Sequence, residues 1–120
     1  MYSIIDELKK VNGAAFLLYF SDHGEEVFDN QVYSGRSFEK ISKGMCEIPF
    51  IFWCNEDFKR ISGFTIDVKK AYCTDDVIHS ILDLMKINYS LFDRKRSIFS
   101  PQFEEKPRKI NGLLYDDLIK

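Results

Sequence analysis

No apolar run in this 120-residue sequence approaches the roughly 20 residues that a membrane-spanning helix needs. The N-terminus, MYSIIDELKK, has no apolar signal core, so no secretory signal is expected. Cysteine is scarce: Cys46, Cys54 and Cys73 lack CxxC spacing, which predicts three reduced thiols packed as small hydrophobic side chains. Excess positive charge is also lacking, since the net charge is -2, and this gives no reason to expect a nucleic-acid partner.

Aromatic residues are plentiful by contrast. Eleven Phe and six Tyr imply a large apolar surface that must be hidden within the chain or against something else. The length fits a single domain, residues 1–120, with a modest core.

The stretch from Ala14 to Glu26 organises the chain. The apolar run Ala14–Phe20 predicts a strand buried on both faces, because it is short for a helix and has no 3.6-residue stripe. It ends at the string SDHGE, and ligands in open α/β sheets bind beyond the carboxyl ends of strands. Asp22 and His23 therefore place a carboxylate and an imidazole at such an end, where Gly24 lets the chain turn.

Periodicity and capping signals predict further elements. They are a helix over Ser3–Val11 capped by Ser3, a helical turn over Ser37–Ser42 ended by Gly44, a buried strand over Glu47–Cys54 beside the first strand, and a helix over Thr74–Ile87 with Thr74 as N-cap. The predicted core stripe of the last helix consists of Val77, Ile78, Ile81, Leu82 and Met85, which leaves His79 on the surface. Asn111-Gly112 predicts a hairpin.

The fold class that follows is α/β. A parallel sheet needs both faces covered, and the few predicted strands and helices are too few to cover both faces of such a sheet. We therefore expect a partial sheet with flanking helices, a portion of a larger α/β domain.

Several strings resemble one family. They are FLLYFSDHGEEVFD, EIPFIFWC, TDDVIHSILDLMKI and INGLLYDDL, and together they run from about Ala14 to Leu118. They resemble the C-terminal third of the phosphoethanolamine transferases of the alkaline phosphatase and sulfatase superfamily, and most closely the branch that modifies the lipopolysaccharide core. The resemblance implies a partial alkaline-phosphatase/sulfatase-like sheet with flanking helices.

The resemblance also implies a site. In the family the Asp-His pair of the SDHG motif binds a catalytic zinc, which here means Asp22 and His23. The remaining ligands, an acidic residue and the threonine nucleophile, lie upstream in the family, so we expect no catalytic nucleophile in this chain and no activity from it alone. Members are inner-membrane proteins with a periplasmic catalytic domain, which transfer phosphoethanolamine from a donor lipid to a lipopolysaccharide acceptor.

One position departs from the family pattern. A histidine follows the SDHG motif by roughly a dozen residues in the family, and Arg36 stands in its place here. Arginine does not ligate a metal, but its guanidinium fork holds phosphate, so Arg36 is expected to contact the substrate phosphate. Glu25 belongs to the family string and is expected to support the metal site from behind the ligands.

Two alternatives stay open at this point. The first alternative to the transferase is a non-catalytic assembly module that pairs through an exposed sheet edge, for example as a homodimer. The second is part of a related sulfatase or phosphatase that acts on a soluble ester.

Overall fold

A computed structural model describes residues 1–29, 31–37, 39–64, 67 and 69–119. The helices are α1 (Tyr2–Leu8), α2 (Lys43–Cys46), α3 (Glu56–Ser62), α4 (Val77–Leu84) and α5 (Tyr115–Leu118). The strands are β1 (Phe16–Phe20), β2 (Glu26–Val27), β3 (Ser34–Gly35), β4 (Phe50–Cys54), β5 (Lys109–Ile110) and β6 (Leu113–Leu114). Single turns of 3₁₀-helix lie at Thr74–Asp76 and Arg94–Arg96.

The pairing of β1 with β4 forms the centre of the fold. The two predicted strands are confirmed and adjacent, but they run antiparallel, with Phe16 opposite Cys54 and Phe20 opposite Phe50. The prediction that the first strand is buried on both faces is wrong, because Tyr19 is 45% exposed. The pairing is antiparallel because β4 begins beside the C-terminal end of β1, where Phe50 lies opposite Phe20, and then runs back along β1.

One aromatic core covers the inner face of this pair. Its buried members are Phe58, Leu84, Ile98, Phe99 and Phe103. Phe52 of β4 links the strand to this cluster, with ring centroids 4.8 Å from Phe99 and 6.1 Å from Phe58. Such tilted and edge-on ring pairs add to the stabilisation from buried area. Much of the predicted aromatic surface is therefore hidden within the chain.

The helix boundaries differ from the predictions at several points. The first helix begins at Tyr2 and ends at Leu8, and its N-cap is Met1 rather than Ser3. The turn predicted over Ser37–Ser42 is displaced, because the helix there starts after Ser42 and contains Gly44. Phe38, within the predicted turn, lies outside the described residues.

Helix α4 faces the opposite way from the prediction. Its buried residues are His79, Ser80, Asp83 and Leu84, whereas Ile78 and Met85 of the predicted core stripe are 52% and 56% exposed. The prediction of a surface His79 is also wrong, since only 6% of it is exposed. The polar face can point inward because it is hydrogen bonded: Ser80 Oγ accepts from the Ile98 backbone N–H at 3.1 Å.

The C-terminal region confirms the hairpin. Strands β5 and β6 pair antiparallel, and Asn111 and Gly112 both have positive φ, as a two-residue turn of this kind requires. The three cysteines are free thiols, as predicted. Within the described ranges, no helix has the length and apolar character that crossing a bilayer requires.

Candidate functional site

The turn after β1 is held by close backbone packing. A Cβ atom on Gly24 would lie 2.3 Å from the Gly44 carbonyl oxygen and 2.8 Å from the Met45 carbonyl carbon. Glycine is therefore required at this position by the approach of α2, whatever the conformation of the turn. The Ser21 hydroxyl also donates to the His23 carbonyl oxygen at 2.7 Å. The backbone that carries Asp22 and His23 is thus fixed on both sides.

The side chains of Asp22 and His23 point into one region of space. His23 Nδ1 lies 3.0 Å from the Gly24 carbonyl oxygen, and because a carbonyl oxygen only accepts, Nδ1 carries the proton. In the neutral imidazole the lone pair is then on Nε2, which lies 3.9 Å from Asp22 Oδ1. The same oxygen accepts the His23 backbone N–H at 3.1 Å. Both side chains are open to solvent, Asp22 more than His23.

This geometry fits part of a zinc site. An imidazole whose Nδ1–H donates to a backbone carbonyl oxygen presents Nε2 to a metal in the arrangement common among ligating histidines. Two ligand atoms about 2.0–2.1 Å from a tetrahedral zinc lie about 3.3–3.4 Å apart, so a side-chain shift of about half an ångström brings the pair to ligating separation. Among the described residues, however, no group of three or more His, Cys, Asp or Glu side chains is placed to hold a metal ion. A complete site needs ligands from elsewhere.

The two glutamates that follow have opposite environments. Glu25, predicted to support the site, is exposed. Glu26 is fully buried, and its Oε2 accepts from the Ser42 hydroxyl at 2.5 Å. That bond ties the start of β2 to the residue that precedes α2. Sequence reasoning missed Glu26 because its partner lies sixteen residues away, and no local pattern separates two adjacent glutamates.

Arg36 directly follows β3, the strand that pairs with β2. Glu26 pairs with Gly35 between β2 and β3, and the described pairing ends there. The residue after Arg36, Ser37, donates its backbone N–H to Met45 Sδ at 3.4 Å, beside the α2 backbone on which Gly24 packs. The side chain of Arg36 is exposed, and no described contact joins it to Asp22 or His23.

A cleft of about 1020 Å³ begins at this turn. Its lining includes Asp22 and His23 at one part, an apolar floor that contains Phe50 and Phe52, and a wall from the C-terminal hairpin. Tyr115 at the start of α5 donates to Glu47 Oε1 at 2.6 Å and so joins the hairpin region to the residue after α2. Burial, followed by this hydrogen bond, raises the pKa of Tyr115 to about 12. Sequence reasoning did not single out Glu47 or Tyr115.

Comparison with known proteins gives consistent matches. The sequence profile of the sulfatase family matches residues 2–87. The chain is 37% identical to the phosphoethanolamine transferase EptC of Escherichia coli strain K12 over 97% of its own length. It spans 22% of the length of that relative.

Solved structures match in the same way. The crystal structure of the C-terminal periplasmic domain of EptC from Escherichia coli superposes with a TM-score of 0.85 and 35% identity, over 97% of this chain and 36% of that domain. The structure of the same domain in complex with Zn gives a TM-score of 0.75 and 34% identity, over 86% of this chain and 32% of the other. The predicted fold class is confirmed by these matches.

Proposed function

Because this chain belongs to the sulfatase family, we propose that it carries part of the zinc site of a phosphoethanolamine transferase. The observation that carries the proposal is the paired presentation of Asp22 Oδ1 and His23 Nε2, 3.9 Å apart, at the mouth of the cleft. The identity to EptC over nearly the whole chain supports a transferase rather than a sulfatase or phosphatase acting on a soluble ester. The structure of the EptC domain with Zn supports zinc as the metal.

Each site residue has a distinct part in this proposal. Asp22 Oδ1 and His23 Nε2 hold the ion, while the Gly24 carbonyl oxygen fixes the imidazole orientation. A bound zinc would neutralise charge developing on the phosphoryl oxygens and lower the pKa of a coordinated hydroxyl. Arg36 holds the substrate phosphate through its guanidinium fork. Glu25 supports the turn that carries the ligands.

The proposal extends to the substrates and the location of the enzyme. We propose a lipid phosphoethanolamine donor and a lipopolysaccharide acceptor, as the resemblance of the SDHGE-bearing strings to the lipopolysaccharide-core branch implies. We also propose a periplasmic position for this part of the enzyme, which the match to the periplasmic domain of EptC supports. A catalytic zinc normally takes three protein ligands, and the described residues supply two at this turn. We therefore propose that the chain is inactive alone, with the nucleophile and the remaining ligands supplied by residues outside it.

Zinc titration of the purified chain tests the metal proposal. Isothermal titration calorimetry on the native chain and on His23→Ala should give at least about tenfold weaker zinc binding for the variant, because one of two ligands is lost. Asp29→Asn is the matched control, since Asp29 is an exposed acidic residue after the same turn, and it should bind as the native chain does. Equal zinc affinity in His23→Ala and the native chain would refute the assignment.

The inactivity is tested separately. The chain is incubated with zinc and a phosphoethanolamine lipid, and released product is measured. We expect none above background. Turnover that His23→Ala abolishes would show that the chain is a complete catalyst and would overturn this part of the proposal.

A second candidate function has its own supporting observation. Each of β1 and β4 has a single described strand partner, so the pair leaves open edges, and Tyr19 and Ile51 are exposed on it. Open edges favour assembly by strand pairing. A concentration-dependent dimer in size-exclusion chromatography with light scattering would favour this homodimeric module, and a monomer throughout would count against it.

A further inference from the structure

Charged groups in the cleft are mostly neutralised by neighbours. Glu47 accepts from Tyr115 and lies 3.5 Å from Lys43 Nζ. The Arg108 guanidinium pairs with Asp116 at 2.5 Å and stacks over the ring of Tyr115 at 4.5 Å. Charged side chains that are already paired in this way interact less strongly with an added ligand.

Two lysines on the cleft wall differ from this pattern. Elsewhere in the described chain, basic side chains lie against a carboxylate or an aromatic ring; the exceptions are Arg36, Lys40, Lys69 and Lys109. Of these four, Lys69 and Lys109 line the same cleft as Asp22 and His23. Lys109 lies in β5, and Lys69 follows Asp67, whose Oδ1 accepts the Lys69 backbone N–H at 3.0 Å.

The setting of these lysines points to an anionic ligand. They share the cleft with Arg108 and Lys70, and four acidic residues also line it: Asp22, Glu47, Asp67 and Asp75. Of these, Glu47 lies near Lys43 and Asp75 near Lys106, so two of the four carboxylates already have a cationic neighbour outside the lysine pair. Lys70 already lies over the ring of Phe103, 5.6 Å from its centroid, and Arg108 is paired. An ammonium group that has no charged or aromatic partner among the described residues gains most from an anion that brings its own negative charge.

We propose that Lys69 and Lys109 bind a phosphate group of the ligand in this cleft, apart from the phosphate contact assigned to Arg36. The inference rests on the proposed function for the use of the site, but the binding of the anion needs no metal. The chemistry shared by the candidate ligands is a phosphate ester: a monoester, as on a sugar acceptor, or a diester, as in a lipid headgroup.

The test measures anion binding to the metal-free chain. Inorganic phosphate, glycerol phosphate and glycerophosphoethanolamine are titrated at low ionic strength, where screening is weakest, and followed by NMR chemical shifts. The double variant Lys69→Ala/Lys109→Ala should weaken binding about fivefold or more, as expected when two exposed charge contacts are lost. Lys40→Ala is the matched control, because Lys40 is an exposed lysine that lacks a described charge partner and does not line the cleft. It should bind as the native chain does.

The outcomes separate this inference from the zinc proposal. Loss of binding in the double variant alone supports the site, and the better-bound ester identifies the monoester or the diester as the source. Unchanged binding in the double variant, or equal loss in Lys40→Ala, would overturn it. Zinc affinity of the double variant should equal that of the native chain. Equal zinc affinity in His23→Ala and the native chain, which would refute the zinc assignment, therefore leaves the anion result standing, and the reverse also holds.

Discussion

At the scale of single residues, the sequence correctly identified Gly24 as a required glycine, but the reason for the requirement is close packing against α2. The sequence predicted a glycine needed for turning, but the structure requires it because α2 approaches so closely that a Cβ atom here would lie 2.3 Å from the Gly44 carbonyl oxygen. Turn signals are local and can be read from neighbours, whereas close approach depends on a segment twenty residues away.

Gly24→Ala therefore should destabilise the chain. We expect a loss of about 1–3 kcal/mol in the free energy of unfolding, because the new Cβ must push α2 away. Gly44→Ala is the matched control: its Cβ meets the Glu25 carbonyl oxygen at 3.2 Å, and the gain in helix propensity of up to about 1 kcal/mol offsets that contact. Urea unfolding followed by Trp53 fluorescence measures both, and equal losses would contradict the packing explanation.

The ligand pair illustrates the limit of residue-scale prediction. Asp22 and His23 were found from their types and their place after a strand, and the structure brings their side chains together. Their exposure, the tautomer of His23 and the buried carboxylate of Glu26 depend on contacts with Gly24 and Ser42, which spacing does not reveal.

At the scale of elements, both long strands were predicted because apolar runs are local signals. Their direction was not, because it depends on the path of the connection from Ser21 to Pro49. That connection is anchored at the end of β1 by the Gly24 contact with α2, so β4 starts where β1 stops.

The orientation of α4 gives a second prediction. The predicted core stripe of α4 was wrong, because Ile78 and Met85 are exposed. The helix instead packs with Leu84 and its polar residues inward, where Ser80 Oγ bonds Tyr72 Oη at 2.6 Å. Ser80→Ala should lower the free energy of unfolding by about 1–3 kcal/mol, because the Ile98 backbone N–H loses its acceptor. Ile78→Ser, on the outward side, should change it by less than about 0.5 kcal/mol. Thermal unfolding by circular dichroism measures both; a larger loss in Ile78→Ser would mean that α4 packs the other way round.

At the scale of the whole molecule, a charged cluster joins distant parts of the chain. Asp76, just before α4, is buried and accepts from Arg96 Nε at 2.6 Å and from Lys106 Nζ at 2.9 Å. Three segments separated by up to thirty residues thus meet at one carboxylate. Burial opposes ionisation of Asp76, but the bonds from Lys106 and Arg96 outweigh it, so its pKa is lowered.

A lowered folded-state pKa makes stability depend on pH in one direction. The stabilisation by Asp76 is fully present above the ordinary carboxyl pKa of the unfolded chain and is lost as the pH falls through the lower pKa of the folded chain. Asp76→Asn should cost about 1–2 kcal/mol at neutral pH, less than for a fully buried pair, since Arg96 and Lys106 are partly exposed. It should also flatten the loss of stability in acid.

Asp75→Asn separates this effect from a general change of charge. Asp75 is exposed and reaches Lys106 only at 3.5 Å, so its replacement removes the same formal charge without breaking the cluster. Urea midpoints measured between neutral pH and about pH 3 should fall steeply for the native chain and for Asp75→Asn, and less steeply for Asp76→Asn, because only that variant lacks the carboxylate that protonation must release from its partners. Parallel curves for all three proteins would mean that the cluster contributes nothing to acid sensitivity, and that the three segments are held together by the aromatic core alone.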